Sequence, residues 1–241
     1  MDTYNIIKIH NVISTSDYVL SLKSSKIFRE GLVVVSDFQQ KGRGQRGKYW
    51  QSEFGKNLLI SVVIKSNILI KKKFDISKFV SLSVIDCLSA LGVTAHIKWP
   101  NDILVGSNKI SGILIDNIIS KNTVKYSVVG IGLNINQANF NLFTTKATSL
   151  KLELKKSFSL VKIQNLLLDK LRNRLVSYRN SEFLDIEYLD YLYKKDKIAC
   201  FEANFTKFNG IIRGVTDDGR LKVELDSSIQ YFDVKEIKML F

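Results

Sequence analysis

The sequence predicts an α+β fold in which helices cover a mixed β-sheet and a small antiparallel barrel follows. Three observations support this fold class. Apolar, β-branched runs such as residues 32–35 predict buried strands, and amphipathic stretches predict helices. Beyond residue 194, short strand patterns recur between turns, as in a barrel of about fifty residues. A chain of 241 residues, 45% of them hydrophobic, can bury a large core, and we divide it into a domain at 1–193 and a barrel at 194–241.

Polar residues near the N-terminus precede the first predicted helix. Ser14, Thr15, Ser16 and Asp17 stand directly before apolar residues at helical spacing, and such side chains favour a helix N-cap. Capping alone would explain them, so a ligand-binding role stays open at this point. The strand at 32–35 follows, and Gln39 lies where it approaches a glycine-rich segment.

The glycine-rich segment, residues 42–50 (GRGQRGKYW), combines three glycines, three cations and a tryptophan. Glycine lets backbone N–H groups approach a ligand, and the cations supply charge for an anion. The composition therefore predicts an anion-wrapping loop. An ordinary surface turn and an RGG-like RNA-binding tract are the alternatives, although such tracts are usually repetitive.

The middle of the chain predicts two strands joined by a hairpin turn. A strand at 57–65 and a helix at 75–91, ended by Gly92, come first. Residues 98–105 (KWPNDILV) and 109–116 (KISGILID) then flank a turn at 106–108. If the hairpin closes in this way, Lys109 faces Asn101 and Asp102; a plain surface lysine is the alternative.

A further strand at 125–129 leads into GIGLNIN at 130–136, where a lone Gly-x-Gly is weak evidence for nucleotide binding. Leucine-rich helices are predicted at 160–178 and 181–193, where they would cover the sheet. Short strands at 198–201, 210–215, 221–225 and 229–232 make up the predicted barrel.

Composition and charge exclude several classes of protein. The net charge of +13 suits an acidic partner, but the lysines are spread along the whole chain. Two cysteines and two histidines fit neither a disulfide framework nor a histidine-based metal site, which indicates a reducing cytoplasm. The sequence shows no signal peptide and no apolar run long enough for a membrane span, so we expect a soluble cytoplasmic protein.

In combination and in this order, the motifs resemble those of biotin protein ligases, which join biotin to a lysine of a carrier domain. Residues 14–16 are similar to the family's Ser-Thr-Asn group, and residues 42–50 to its glycine-arginine loop, although Ser16 and Gln45 stand where the family often has Asn and Arg. Residues 98–102 match its Lys-Trp-Pro-Asn-Asp motif and residues 109–114 its Lys-x-x-Gly-Ile-Leu strand. Residues 130–136 resemble its Gly-Ile-Gly-x-Asn turn, and the barrel resembles its SH3-like module. The resemblance covers nearly the whole chain.

The resemblance implies a class II synthetase-like sheet carrying an ATP-dependent ligase activity. Such an enzyme converts biotin and ATP, with Mg²⁺ carried by the ATP phosphates, into biotinyl-5'-AMP. It then transfers the biotin to a lysine of the biotin carboxyl carrier domain of a carboxylase. Because thirteen residues precede Ser14, we expect the form without a DNA-binding domain, with neither DNA nor a membrane as a partner. A homodimer is left open.

The resemblance also implies roles for individual residues. Lys109 and Arg43 would stabilise charge as the adenylate forms, Asp102 would orient the incoming amine, and Trp50 would stack on adenine. No metal site made of protein side chains is expected. The binding residues implied for biotin and ATP are Ser14, Thr15, Ser16, Gln39, Gly42, Arg43, Gly44, Gln45, Arg46, Trp50, Asn101, Lys109, Gly112 and Asn134.

Two rival functions stay open at this point. A lipoate ligase or octanoyltransferase of the same superfamily would need a different glycine-rich signature. A basic nucleic-acid-binding protein would rest on the net charge and the barrel. Biotin-dependent exchange of labelled pyrophosphate into ATP separates the three functions.

Overall fold

The computed structural model describes residues 4–140, 146–180, 184–226 and 228–240, without the side chains of Arg46, Arg179 and Asn180. Its largest element is a seven-stranded sheet. The strands of this sheet are β1 (Asn5–Val12), β2 (Leu32–Gln39), β5 (Leu58–Leu69), β6 (His96–Lys98), β7 (Asp102–Val105), β8 (Asn108–Ser120) and β9 (Thr123–Leu133). The glycine-rich segment forms a separate ribbon of β3 (Gly42–Arg43) and β4 (Tyr49–Trp50) around a short 3-10 helix at Gln45–Gly47.

The large sheet is mixed, as the sequence predicts. Its strand order is β1-β2-β5-β9-β8-β7-β6. β1 pairs with β2 in parallel, and the remaining neighbours pair antiparallel. Because β5, β9 and β8 occupy the middle of the sheet, their residues form the floor on which other segments can lie.

Helices lie on both faces of this sheet. The helices are α1 (Thr15–Ser21), α2 (Phe74–Ser89), α3 (Leu150–Leu154), α4 (Leu160–Asn180) and α5 (Leu184–Asp190). On one face Val19 of α1 packs with the buried side chains of Val34, Val63 and Val128. The other face carries the main core, in which α2 contacts both α4 and α5.

Most predicted elements are confirmed, with different ends. The helix predicted at 75–91 is α2, and Gly92 follows it with a φ of 80°, a left-handed conformation that suits glycine. The hairpin turn at 106–108 connects β7 and β8. The helix predicted at 181–193 is described from Leu184 to Asp190, and residues 181–183 lie outside the described residues.

The strand predicted at 125–129 continues beyond Gly130. β9 extends to Leu133, because it pairs with β5 and β8 along this stretch, with Gly130 opposite Ser61 and Leu114. Two neighbouring strands hold the backbone extended, so Gly130 and Gly132 lie within the sheet and not in a turn.

A second, five-stranded antiparallel sheet forms the C-terminal region. Its strands are β10 (Ile198–Ala203), β11 (Thr206–Val215), β12 (Leu221–Leu225), β13 (Ser228–Phe232) and β14 (Lys238–Met239), in the order β13-β12-β11-β10-β14. Phe201, Ile212 and Leu221 belong to the main core, and Trp99 Nε1 donates a hydrogen bond to the Gly219 carbonyl (2.9 Å). The second sheet therefore packs directly against the turn that precedes β7. Within the described part of the chain, no helix is long and apolar enough to cross a membrane.

Candidate active site

A cavity of about 880 Å³ lies over the middle of the β8–β9 pair. The start of α1, the glycine-rich segment, the turn before β7 and the C-terminal sheet form its walls. The residues predicted from sequence that line it are Ser14, Thr15, Ser16, Gln39, Arg43, Gly44, Gln45, Trp50, Asn101, Asp102, Lys109, Gly112 and Asn134. Gly42 lies behind the lining, where a Cβ would come within 2.7 Å of Gln39 Nε2. The side chain of Arg46 falls outside the described residues.

One end of the cavity is lined by neutral hydroxyl and amide groups. The Thr15 backbone N–H and hydroxyl both donate to Gln39 Oε1 (2.7 and 3.0 Å). The Ser61 hydroxyl is hydrogen-bonded to the hydroxyls of Thr15 (2.8 Å) and Ser16 (3.0 Å). All three hydroxyl side chains are buried. This end is built to hydrogen-bond an uncharged polar ligand group, and the network holds its members in fixed orientations.

The residues at the start of α1 both cap the helix and line the cavity. Ser14 is the N-cap, and its hydroxyl accepts a hydrogen bond from the Asp17 backbone N–H (3.3 Å). The capping prediction is therefore confirmed. Because the cap fixes the first turn, Thr15 and Ser16 are presented to the cavity from a rigid position.

The floor of the cavity is made by paired glycines. Gly112 of β8 lies opposite Gly132 of β9, and the Trp50 indole packs on both. A Cβ at Gly132 would lie 2.5 Å from Trp50 Cε2, and one at Gly112 would lie 3.0 Å from Trp50 Cζ3. A Cβ at Gly130 would lie 2.6 Å from Ser16 Oγ. The absence of side chains at these positions therefore lets a flat ring lie on the sheet.

Lys109 and Asp102 meet across the β7–β8 hairpin. Lys109 Nζ is 2.5 Å from Asp102 Oδ1, and it lies 5.4 Å from the centre of the Trp50 ring. Asn101 is fixed beside them, since its Nδ2 donates to the Ile113 carbonyl (2.8 Å). The predicted facing of Lys109 toward Asn101 and Asp102 is confirmed.

Further cations line the same cavity; the sequence indicated Lys48 as part of the anion-wrapping loop but assigned no role to Lys98 or Lys238. Lys98 belongs to the KWPND segment, Lys48 to the glycine-rich segment and Lys238 to β14. Burial lowers the pKa of Lys98, and the nearby charges of Lys109, Lys48 and Lys238 lower it further, while Asp102 raises it. Three lysines around Lys98 against one carboxylate favour a ligand that carries several negative charges.

Asn134 closes the cavity beside the floor. It is 3% exposed, and its Nδ2 donates to the Thr148 carbonyl (3.0 Å). Its Oδ1 is buried and has no hydrogen-bond partner within the described residues. A buried acceptor without a partner is costly unless a ligand supplies a donor, so Asn134 is suited to accept a hydrogen bond from a bound molecule.

Arg43, the second cation expected to stabilise charge, lines the cavity and is bound by carboxylates. Its Nη1 donates to Asp17 Oδ1 (2.9 Å) and to Asp116 Oδ2 (3.0 Å), and its Nη2 donates to Asp116 Oδ1 (3.1 Å). The guanidinium group is therefore engaged by two carboxylates at the edge of the cavity.

The arrangement separates two kinds of chemistry within one cavity. Neutral hydroxyl groups lie beside Gly130 of the floor, and the Lys109–Asp102 pair with its neighbouring lysines lies beside Gly112. Such a site can hold a small polar molecule at one end and a phosphate-bearing aromatic molecule at the other. Lys109 then lies where negative charge would develop if the two reacted.

Comparison with known proteins agrees with this geometry. Residues 10–134 match the Biotin/lipoate A/B protein ligase family. The chain is 31% identical over 129 residues to the bifunctional ligase/repressor BirA of Bacillus subtilis (strain 168), covering 53% of this chain and 40% of BirA. It is 26% identical over 219 residues to the biotin--[acetyl-CoA-carboxylase] ligase of Mycobacterium tuberculosis, covering 88% of this chain and 80% of that protein.

A solved structure shares the fold. The biotin protein ligase from Aquifex aeolicus, in complex with biotin and ATP, superposes with a TM-score of 0.79 at 24% identity, covering 98% of both chains. The chain spans less than half the length of the BirA proteins that it matches, as the 40% of the Bacillus subtilis protein shows. The matched residues make up more than half of the chain and include residues 14–16, the glycine-rich segment and the hairpin that carries Lys109. The chain therefore belongs to the Biotin/lipoate A/B protein ligase family.

Proposed function

We propose that the chain is a biotin protein ligase, which activates biotin with ATP and then transfers it to a carrier lysine. The observation that carries this proposal is that the Lys109–Asp102 pair, next to the Trp50 ring, lines the same cavity as the hydroxyls of residues 14–16. A carboxylate does not acylate an amine in water without a good leaving group. A site that holds an acid and a nucleotide on either side of a lysine provides one.

In the first step, the biotin carboxylate attacks the α-phosphorus of ATP, forming biotinyl-5'-AMP and releasing pyrophosphate. Lys109 would bind both the carboxylate and the α-phosphate, and it would stabilise the charge that builds up between them. Lys98, Lys48 and Lys238, which line the same cavity, would hold the remaining phosphates. Mg²⁺ would enter with ATP, because the phosphates supply most of its ligands.

Binding of the two substrates would use the opposite ends of the cavity. Ser14, Thr15, Ser16 and Gln39 would pair with the ureido ring of biotin, and this pairing would confer specificity because an analogue without those polar groups leaves buried partners unsatisfied. At the other end, Trp50 would stack on adenine, with Asn101 and Asn134 as hydrogen-bonding neighbours. Gly112 would let the backbone of β8 approach the adenylate.

In the second step, the lysine amine of a carrier attacks the carbonyl carbon of the adenylate, an amide forms and AMP leaves. Asp102 would orient the amine by accepting a hydrogen bond from it. In this step Lys109 would remain on the phosphate, so that the Asp102 carboxylate becomes available to the incoming group. The named target of the Mycobacterium tuberculosis relative, acetyl-CoA carboxylase, supports a biotin carboxyl carrier domain as the acceptor.

The finer architecture is part of the same proposal. The large sheet with its helices, residues 1–193, would form a class II synthetase-like catalytic domain. Residues 194–241 would form an SH3-like barrel, supported by the five antiparallel strands of the C-terminal sheet. The net charge of +13 would help an acidic carrier to dock, so added salt should slow biotin transfer more than pyrophosphate exchange. Equal salt sensitivity of the two half-reactions contradicts this docking role. The ATP requirement and the free thiols of Cys87 and Cys200 fit a reducing cytoplasm.

The experiment is exchange of labelled pyrophosphate into ATP in the presence of biotin, lipoate or octanoate. We expect exchange with biotin and not with the other two acids. Exchange that depends on lipoate or octanoate supports the rival ligase activities, and exchange with none of the three overturns the proposal. Transfer of labelled biotin to an isolated carrier domain then tests the second step.

A further inference from the structure

The engagement of Arg43 by two carboxylates assigns it a different task from charge stabilisation. Arg43 belongs to the ribbon of the glycine-rich segment, and its backbone pairs with Tyr49. Asp17 lies in the first turn of α1, and Asp116 lies on β8. One guanidinium therefore joins three separate segments around the cavity mouth.

The contact with Asp116 is bidentate, with both carboxylate oxygens accepting from the two terminal nitrogens (3.0 and 3.1 Å). This fork geometry is directional and stronger than a single ion pair, because two parallel hydrogen bonds fix the plane of each group. Three of the five N–H donors of an arginine are used by Asp17 and Asp116 together. The side chain is thus held in one orientation.

The local charge also opposes an anion at this point. One guanidinium and two carboxylates give +1 − 2 = −1 for the group Arg43, Asp17 and Asp116. A phosphate placed against the same guanidinium would meet two negative charges within about 3 Å of it. By contrast, Lys98 has three lysines near it, Lys48, Lys109 and Lys238, and one carboxylate, that of Asp102.

We propose that Arg43 is a positioning residue, and that Asp116 and Asp17 are the anchors by which it clamps the glycine-rich segment over the cavity. The clamp lowers the conformational entropy that the segment loses when ligands bind. It fixes the ribbon that carries Gly42, Gly44 and Trp50 relative to α1 and β8. The proposed role rests on the proposed function for its kinetic consequences, but the clamp itself is a contact among three segments of the chain that can be measured without catalysis.

A charge-swap cycle tests the clamp. Arg43→Asp places three carboxylates together, and Asp116→Arg removes the bidentate partner, so each variant should raise KM for biotin and for ATP by about tenfold, with a smaller change in kcat. In the double variant, the arginine introduced at position 116 can bridge the carboxylate introduced at position 43 and that of Asp17. We expect both KM values to return to within about threefold of wild type.

A matched control exists in the C-terminal sheet, where Arg213 also faces two carboxylates, those of Glu224 and Asp196. Its exposure is close to that of Arg43, 39% against 37%. Swapping Arg213 and Glu224 should leave both KM values unchanged. A matching change in KM in this control would show that any surface charge swap has the effect, and would overturn the assignment.

A second readout does not depend on catalysis. Asp116→Asn keeps the side-chain shape and removes the charge, so the fold should persist while the clamp weakens. Trypsin should then cut after Lys48 several times faster in the unliganded variant than in wild type. An unchanged cleavage rate overturns the clamp, and so does a double variant that stays as impaired as Arg43→Asp. If wild type lacks exchange with biotin while Asp116→Asn still speeds cleavage, the proposed function fails and the clamp stands.

Discussion

Gly130 and Gly132 should control the two ends of the cavity independently, although they lie two positions apart on β9. An alanine Cβ at Gly132 would lie 2.5 Å from Trp50 Cε2 and 2.8 Å from Cδ2 and Cζ2, closer than carbon atoms can approach. One at Gly130 would lie 2.6 Å from Ser16 Oγ but at least 3.5 Å from its other neighbours. We therefore expect Gly132→Ala to displace the indole and Gly130→Ala to displace the Ser16 hydroxyl.

The sizes of the two effects follow from what each Cβ displaces. Crowding a packed ring costs about 1–3 kcal/mol, and this cost appears as a rise of about 5- to 150-fold in KM for ATP if the ring is part of the nucleotide site. Rotating a small hydroxyl group forfeits about one hydrogen bond, roughly 0.5–1.5 kcal/mol, or about 2- to 12-fold in KM for biotin. Each variant should leave the KM of the other substrate within about twofold of wild type.

The assay is pyrophosphate exchange with one substrate saturating and the other varied, combined with urea unfolding to confirm that the fold is intact. Gly210→Ala is the control, since its Cβ would crowd Val223 at 2.6 Å in the C-terminal sheet, away from the cavity lining. It should reduce stability without separating the two KM values. If Gly132→Ala raises both KM values equally, the two ends are not independent and the reasoning fails.

Three further outcomes are expected. Lys109→Ala should lower exchange at least about a hundredfold while the exposed Lys151→Ala does not, and near-equal activities would remove Lys109 from the chemistry. Because burial lowers the pKa of Lys98, the folded chain binds fewer protons than the unfolded chain just below pH 10.5, so stability rises with pH there. Lys98→Met removes this buried charge, so the stability that it gains over wild type in urea unfolding should shrink as the pH rises toward 10.5, and a constant difference contradicts this. Gln45→Arg adds a cation to the lining and should slow adenylate release about tenfold in a chase experiment. An unchanged release rate contradicts this expectation.

The parts of the site that could be predicted from sequence are those fixed by local structure. The hairpin of β7 and β8 brings Lys109 to Asp102 across seven residues, because Lys109 lies opposite Leu104, two positions from Asp102 on the same strand. The N-cap at Ser14 is likewise readable from the residues beside it. In both places the side chains that meet are close in the chain, so no knowledge of the sheet order is needed.

The parts that could not be predicted depend on the order of the strands. Ser61 lies in an apolar run that predicts only a buried strand, and it reaches Thr15 because β5 lies next to β2. A hydroxyl in that run is the signal that could have identified it. Lys238 enters the cavity from a different sheet. Asp116 meets Arg43 across 73 positions, a distance at which spacing carries no information.

The position of the two tryptophans gives the protein an optical property. Trp50 and Trp99 are the only tryptophans in the chain, and both line the cavity. Their surroundings differ, since Trp99 Nε1 is hydrogen-bonded to the C-terminal sheet while Trp50 Nε1 is buried without a partner among the described residues. Indole fluorescence responds to polarity and to stacking. The tryptophan emission of the whole molecule therefore originates at one site, where an unlabelled sample reports on ring stacking at Trp50 and on docking of the second sheet at Trp99.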